Sequence, residues 1–170
     1  MDALIIVMRI VHIFCGVFWA GTIFFIVLFL QPAIKASGPA GGQVMQRLVA
    51  ARVLTIVPVF ALLTVLSGLW LIWRVSGGGS AEWMGSRHGI ALSIGGASAI
   101  LGFALGLTVM RPSTLRAMAI GQAAQAAGGP PTPEQQAQMQ ALQKRARSSA
   151  VGVAHLLAIA VIAMAVARYL

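Results

Sequence analysis

What most constrains this chain is a set of four long apolar runs, at 4–30, 52–73, 88–110 and 150–168. Each is close to or above the ~20 residues that a helix needs to cross a hydrocarbon core. Within hydrocarbon, a helix is the one single-segment structure that satisfies its own backbone groups. The runs therefore predict an all-α integral membrane protein, a four-transmembrane-helix bundle forming one domain over residues 1–170. Composition agrees: 59% hydrophobic and 9% charged residues in a chain of 170 is too apolar for a soluble core of this size. The amino terminus opens Met-Asp without a basic segment, so the first run is expected to be a mature span rather than a signal peptide.

A formal net charge of +9 raises the question of nucleic acid. The twelve Lys and Arg sit at the ends of the apolar runs instead of on one basic face, which points to topology and not to a nucleic-acid surface. The first and third connections carry Lys35, Arg47, Arg52, Arg111, Arg116, Lys144, Arg145 and Arg147, and the other side carries Arg9, Arg74, Arg87 and Arg168. Because short positively charged loops stay cytoplasmic, both termini are expected on the outer side, the periplasm for a bacterial-type inner membrane.

Between the spans, "QPAIKASGPAGGQVMQR" predicts a helix break and a polar turn, and "RVSGGGSAEWMGSR" a short flexible link. Pro58 predicts a kink in the second span, with Thr64 and Ser67 available for the carbonyls it frees. Gly95, Ser98, Gly102 and Gly106 form a small-residue face for close helix packing. The connection 111–149 is long and rich in Ala and Gln. Thr132 as cap, Pro133 in the first turn and Gln135 completing a capping box mark a helix start. With Gly128 to Pro131 as the tip, 111–149 is expected to be a cytoplasmic helical hairpin extension between the third and fourth spans. Its apolar line of Met139, Leu142 and Ala146 would be an exposed docking surface.

The reactive side chains cluster in "MRIVHIFCGVFWAG", residues 8–21. At ~100° per residue, Arg9, His12, Gly16 and Trp19 share about a quarter of the helix circumference, with Cys15 beside them. Ionisable groups inside a membrane are costly and mark functional sites by default, although Arg9 can also snorkel to the outer headgroups. His12 and His88 are expected at similar depth on different helices, and a haem iron takes axial imidazoles from facing helices of a bundle. His12 and His88 are thus candidate haem-iron ligands, with Arg9 and Arg87 candidates for holding propionates or tuning the potential. His155 lies too deep to pair with His12; it is expected to bond a neighbouring helix or to touch a propionate, a quinone or a proton path. His12 and Cys15, with Met8 or Met84 adding sulfur, form an alternative copper set, while Cys15 by default is a small buried hydrophobe.

"VHIFCGVFWAG", with Trp19 seven residues and Gly21 nine residues after His12, resembles the first span of the copper resistance protein D family and of HemJ-type protoporphyrinogen oxidases. "PVFALLTVLSGLWLIW" (58–73) resembles their second span and "EWMGSRHGIAL" the approach to their third. The resemblance covers roughly residues 8–110. It implies a small bundle binding b-type haem, with His12 in the position of the haem histidine and Trp19 in the same motif. Four residues after Trp83, where HemJ-type proteins have lysine, this chain has Arg87. Arginine stays protonated and cannot ligate iron, which leaves haem binding open and porphyrinogen oxidation in doubt. The copper resistance relatives imply metal movement instead.

The leading expectation is a haem b membrane protein of the cytochrome b-like kind in electron transport or a redox accessory role. Its expected partners are the lipid bilayer, a quinone or redox partner subunits, and further copies of the chain as a homo-oligomer. The alternatives are a copper-handling transport protein or a cofactor-free accessory subunit. Whether it is an enzyme stays open; if so, it is a membrane oxidoreductase. The only acids are Asp2, Glu82 and Glu134, so no paired carboxylates exist for acid–base work.

Overall fold

A computed structural model describes residues 2–170. Six helices are present among them: α1 (Ala3–Ala36), α2 (Pro39–Ala50), α3 (Val53–Val75), α4 (Ala81–Gly85), α5 (Arg87–Ala126) and α6 (Pro133–Ala167). Four of these, α1, α3, α5 and α6, are long and apolar enough to cross a membrane. Their outward faces carry large apolar side chains, with Phe14, Val17 and Ile162 each more than 60% exposed. Such a surface is tolerated where lipid, not water, is the surrounding solvent.

The helices outrun the apolar segments. The first span continues to Ala36 through a π turn at Ile26–Leu30, and α5 continues to Ala126 through a second at Gly106–Met110. Each π turn lies just before a proline, Pro32 or Pro112. A proline inside a helix has no N–H for the carbonyl four residues back and crowds it. The ring widens instead, and Gln31 N–H reaches Ile26 O while Arg111 N–H reaches Gly106 O. The expected polar turn after the first span is replaced by the short helix α2, set off by Gly38 (φ 54°) and Arg52 (φ 61°). The link after α3 is not featureless either. It turns through three glycines of positive φ and then forms α4.

Packing is unequal. α1 lies antiparallel on α3 and α5 antiparallel on α6 over long contacts, while the two pairs meet each other less extensively. In the α5–α6 pair, small residues permit close approach: a Cβ on Gly95 would lie 3.0 Å from Met164 Cγ and 3.2 Å from the Ala160 carbonyl. The pairs join in one core of Trp19, Ile23, Val57, Ala61, Ala99, Val153 and Leu157, with Trp19 edge-on to Phe103 at 6.4 Å. Toward the end of the bundle that carries the first and last residues, the pairs separate.

Beyond the spans, the capping box forms as its residues require: Thr132 Oγ1 accepts from Gln135 N–H and the Gln135 amide oxygen accepts from Thr132 N–H. The distal part of α5 packs on the first half of α6, and Gly121 meets the Met139 methyl. Met139, Leu142 and Ala146 are half-buried. They are used between the two helices and do not form the open docking line expected from sequence.

Pro58 deprives the Leu54 carbonyl of its helical donor. Neither Thr64 nor Ser67 supplies the replacement: Thr64 Oγ1 donates to Phe60 O, and Ser67 Oγ to Leu63 O. The donor is Arg111 Nε–H of α5, at 2.9 Å from Leu54 O. This bond crosses from one helix pair to the other at the end opposite the termini. Arg111→Met should therefore cost about 1–3 kcal/mol, the range for a buried carbonyl left unpaired. In a Pro58→Ala background, where the helix regains its own donor, the same change should cost much less. Equal losses in both backgrounds, measured by reversible unfolding in mixed micelles, would refute this account.

Candidate functional site

Where the pairs separate, a cavity of about 700 Å³ opens among α1, α3, α5 and α6. That volume lies within the range of small-molecule and cofactor sites. Trp19, Ala20, Ala99 and Leu157 form its floor and Leu69, Ile72, Ile100, Val161 and Met164 its walls. Its ionisable lining residues are Arg9, His12, His88 and Arg168, and no carboxylate lines it. The stripe read from α1, Arg9, His12, Gly16 and Trp19, lies on this one cavity.

His12 is tightly positioned. Its Nδ1 lies 2.8 Å from the Thr64 carbonyl of α3. A carbonyl only accepts, so Nδ1 carries the proton and Nε2 keeps its lone pair in the neutral ring. The ring lies flush on Gly68, where a Cβ would be 2.7 Å from Cε1 and 3.0 Å from Nδ1. Any side chain at 68 would displace it. A hydrogen bond of this kind between membrane helices contributes only ~0.6 kcal/mol on average. An apolar residue would fill the same contact without desolvating an imidazole, so stability alone does not account for His12.

His88 is held in the same manner. Its Nδ1 donates to the Ala167 carbonyl of α6 at 2.8 Å, and Trp83 stands edge-on to its ring at 5.9 Å. Each helix pair thus contributes one imidazole whose Nδ1 is engaged by a backbone carbonyl of the other member. The two do not share a depth. Trp19 meets Phe103, His12 meets Gly68, and Gly96 meets Ile72. These marks set His88 nearer the terminal end by two to three turns, roughly 12–18 Å at ~1.5 Å per residue. The reason is where each imidazole falls on its helix: His12 lies nine residues beyond the start of α1 at Ala3, whereas His88 is the second residue of α5.

The remaining candidates lie elsewhere. Cys15 is buried but does not line the cavity, and Met8 is half-buried away from it. Met84 and Arg87 are exposed outside it, and the Met84 sulfur lies 4.0 Å from Ser93 Oγ. Among the described residues, no three His, Cys, Asp or Glu side chains gather as a metal site. His155 is exposed on α6, and its Nδ1 donates to Val151 O of its own helix at 2.9 Å. It does not reach the neighbouring helix expected from sequence. Arg168 was read only as a topology signal, yet it shares the cavity mouth with Arg9. Its signal was available: an up-and-down bundle returns the last residues to the end where the first begin.

No family model, curated protein or solved structure matches the chain.

Proposed function

We propose that the protein binds b-type haem in this cavity, with His12 as the iron ligand, and serves electron transfer or a redox accessory role in a membrane. The observation that carries the reading is the His12 imidazole, anchored through Nδ1 on the Thr64 carbonyl at the lining of a roomy, apolar cavity. A backbone carbonyl on the second ring nitrogen is the usual support for a ligating histidine. The apolar walls suit a macrocycle, and the cationic mouth suits its carboxylates. Bound there, haem supplies one-electron chemistry. The chain's own residues hold His12 in one tautomer, keep carboxylates away from the site and surround it with hydrocarbon. The resemblance of residues 8–110 to the copper resistance protein D and HemJ-type group agrees with a histidine at position 12. His88 stands nearer the mouth than His12, which favours His12 as the ligand over a pair of the two. The copper alternative has less support, since Cys15, Met8 and Met84 stand off the cavity.

The same reading sets the chain in a bacterial-type inner membrane with both termini periplasmic, so that the cavity opens outward and the pair formed by 111–126 and 133–149 projects into the cytoplasm. A quinone, redox subunits or a second copy of the chain are its proposed partners.

His12→Ala should remove the Soret absorption of the purified protein, while His88→Ala and His155→Ala should keep it. Full haem occupancy in the His12 variant would exclude this ligand. For orientation, a Cys15→Ala chain carrying Ser80→Cys should react with an impermeant maleimide added to intact spheroplasts. Reaction only after the membrane is opened would reverse the topology.

A further inference from the structure

We infer that Arg9 and Arg168 together form a carboxylate subsite at the cavity mouth, one that sets the orientation of an amphipathic dicarboxylate whose apolar body enters the shaft. This deepens the haem reading and rests on it. The two arginines come from different helix pairs, Arg9 from α1 and Arg168 from the end of α6, and both line the one cavity. The chain has too few acids to neutralise them. Asp2 lies 3.7 Å from Arg74, Glu82 is in α4 outside the cavity, and Glu134 is in the first turn of α6 at the far end. Among the described residues, Arg74 with Asp2 is the one ion pair.

Arg168 is also held in place. Its guanidinium carbon lies 5.2 Å from the centroid of the Tyr169 ring, a contact that uses the face of the group and leaves its edge N–H donors free. The preceding residue, Ala167, accepts from His88 Nδ1–H, which fastens the end of α6 to α5. His88 is thus a positioning residue for Arg168. A carboxylate offered a guanidinium fork makes paired, charge-assisted hydrogen bonds. The simpler possibility is that both arginines only snorkel to headgroups. Arg87 distinguishes the two, since it is an exposed arginine at the same end of the bundle but outside the cavity.

The test is titration of the haem-free full chain in phosphatidylcholine nanodiscs, which offer no anionic headgroups. Haem and its dimethyl ester, with both carboxylates blocked, are the probes, and the Soret band is the readout. The wild type should bind haem more tightly than the ester by roughly tenfold or more. Arg9→Gln and Arg168→Gln should each shrink that preference, and the double variant should abolish it while retaining ester binding. Arg87→Gln, which removes the same charge, should leave it intact. Equal affinity of the wild type for both probes, or an Arg87→Gln effect as large as the others, would overturn the subsite while leaving haem binding standing. A wild type that takes up neither probe would end the haem reading and this inference with it.

Discussion

Pro58 leaves the Leu54 carbonyl without its helical donor, and a buried carbonyl left unpaired costs about 1–3 kcal/mol. Arg111 Nε–H is the group that meets it. Because Leu54 belongs to the α1–α3 pair and Arg111 to the α5–α6 pair, a local backbone defect becomes a tie between pairs. With the core around Trp19, Ile23 and Leu157, this tie closes the bundle at one end. Among the described residues the opposite end has no comparable crossing bond between the pairs, and the cavity opens there. The cavity follows from this asymmetry. Tight packing within pairs relies on small residues such as Gly95, whereas packing between pairs relies on a few bulky contacts near the floor.

What the cavity contains is as telling as its volume. A lining of mostly aliphatic groups holds two imidazoles, each with Nδ1 fixed on a carbonyl, and two guanidiniums near the mouth. No carboxylate balances them. Low dielectric amplifies such an uncompensated positive field, which supports the proposed ligand, apolar in body and anionic at one end. His12 stands deeper than the cations, against Gly68, where an apolar body would lie beside it.

Much of this was legible in the sequence because it follows from periodicity and local chemistry. Four apolar runs give four spans. The 100° repeat puts Arg9, His12, Gly16 and Trp19 on one face, and Thr132, Pro133 and Gln135 specify the start of α6. What was not legible depends on which helix meets which, and at what height. The donor for the Leu54 carbonyl lies 57 residues away on another helix, whereas local sequence offers only Thr64 and Ser67. "QPAIKASGPAGGQVMQR" suggests a helix break after the first span, but α1 accommodates Pro32 with a π turn and runs on to Ala36. The levels of His12 and His88 differ for a separate reason, since His12 is nine residues into α1 and His88 is the second residue of α5.

The central claim is that the cavity beside His12 holds a haem, and the absorption spectrum of the full chain purified from its membrane, read alongside its metal content, tests it most directly. The account predicts a Soret band, separate α and β bands on reduction by dithionite, and iron in proportion to protein. Stoichiometric copper with no Soret band, or neither metal in a well-folded preparation from haem-replete cells, would contradict it.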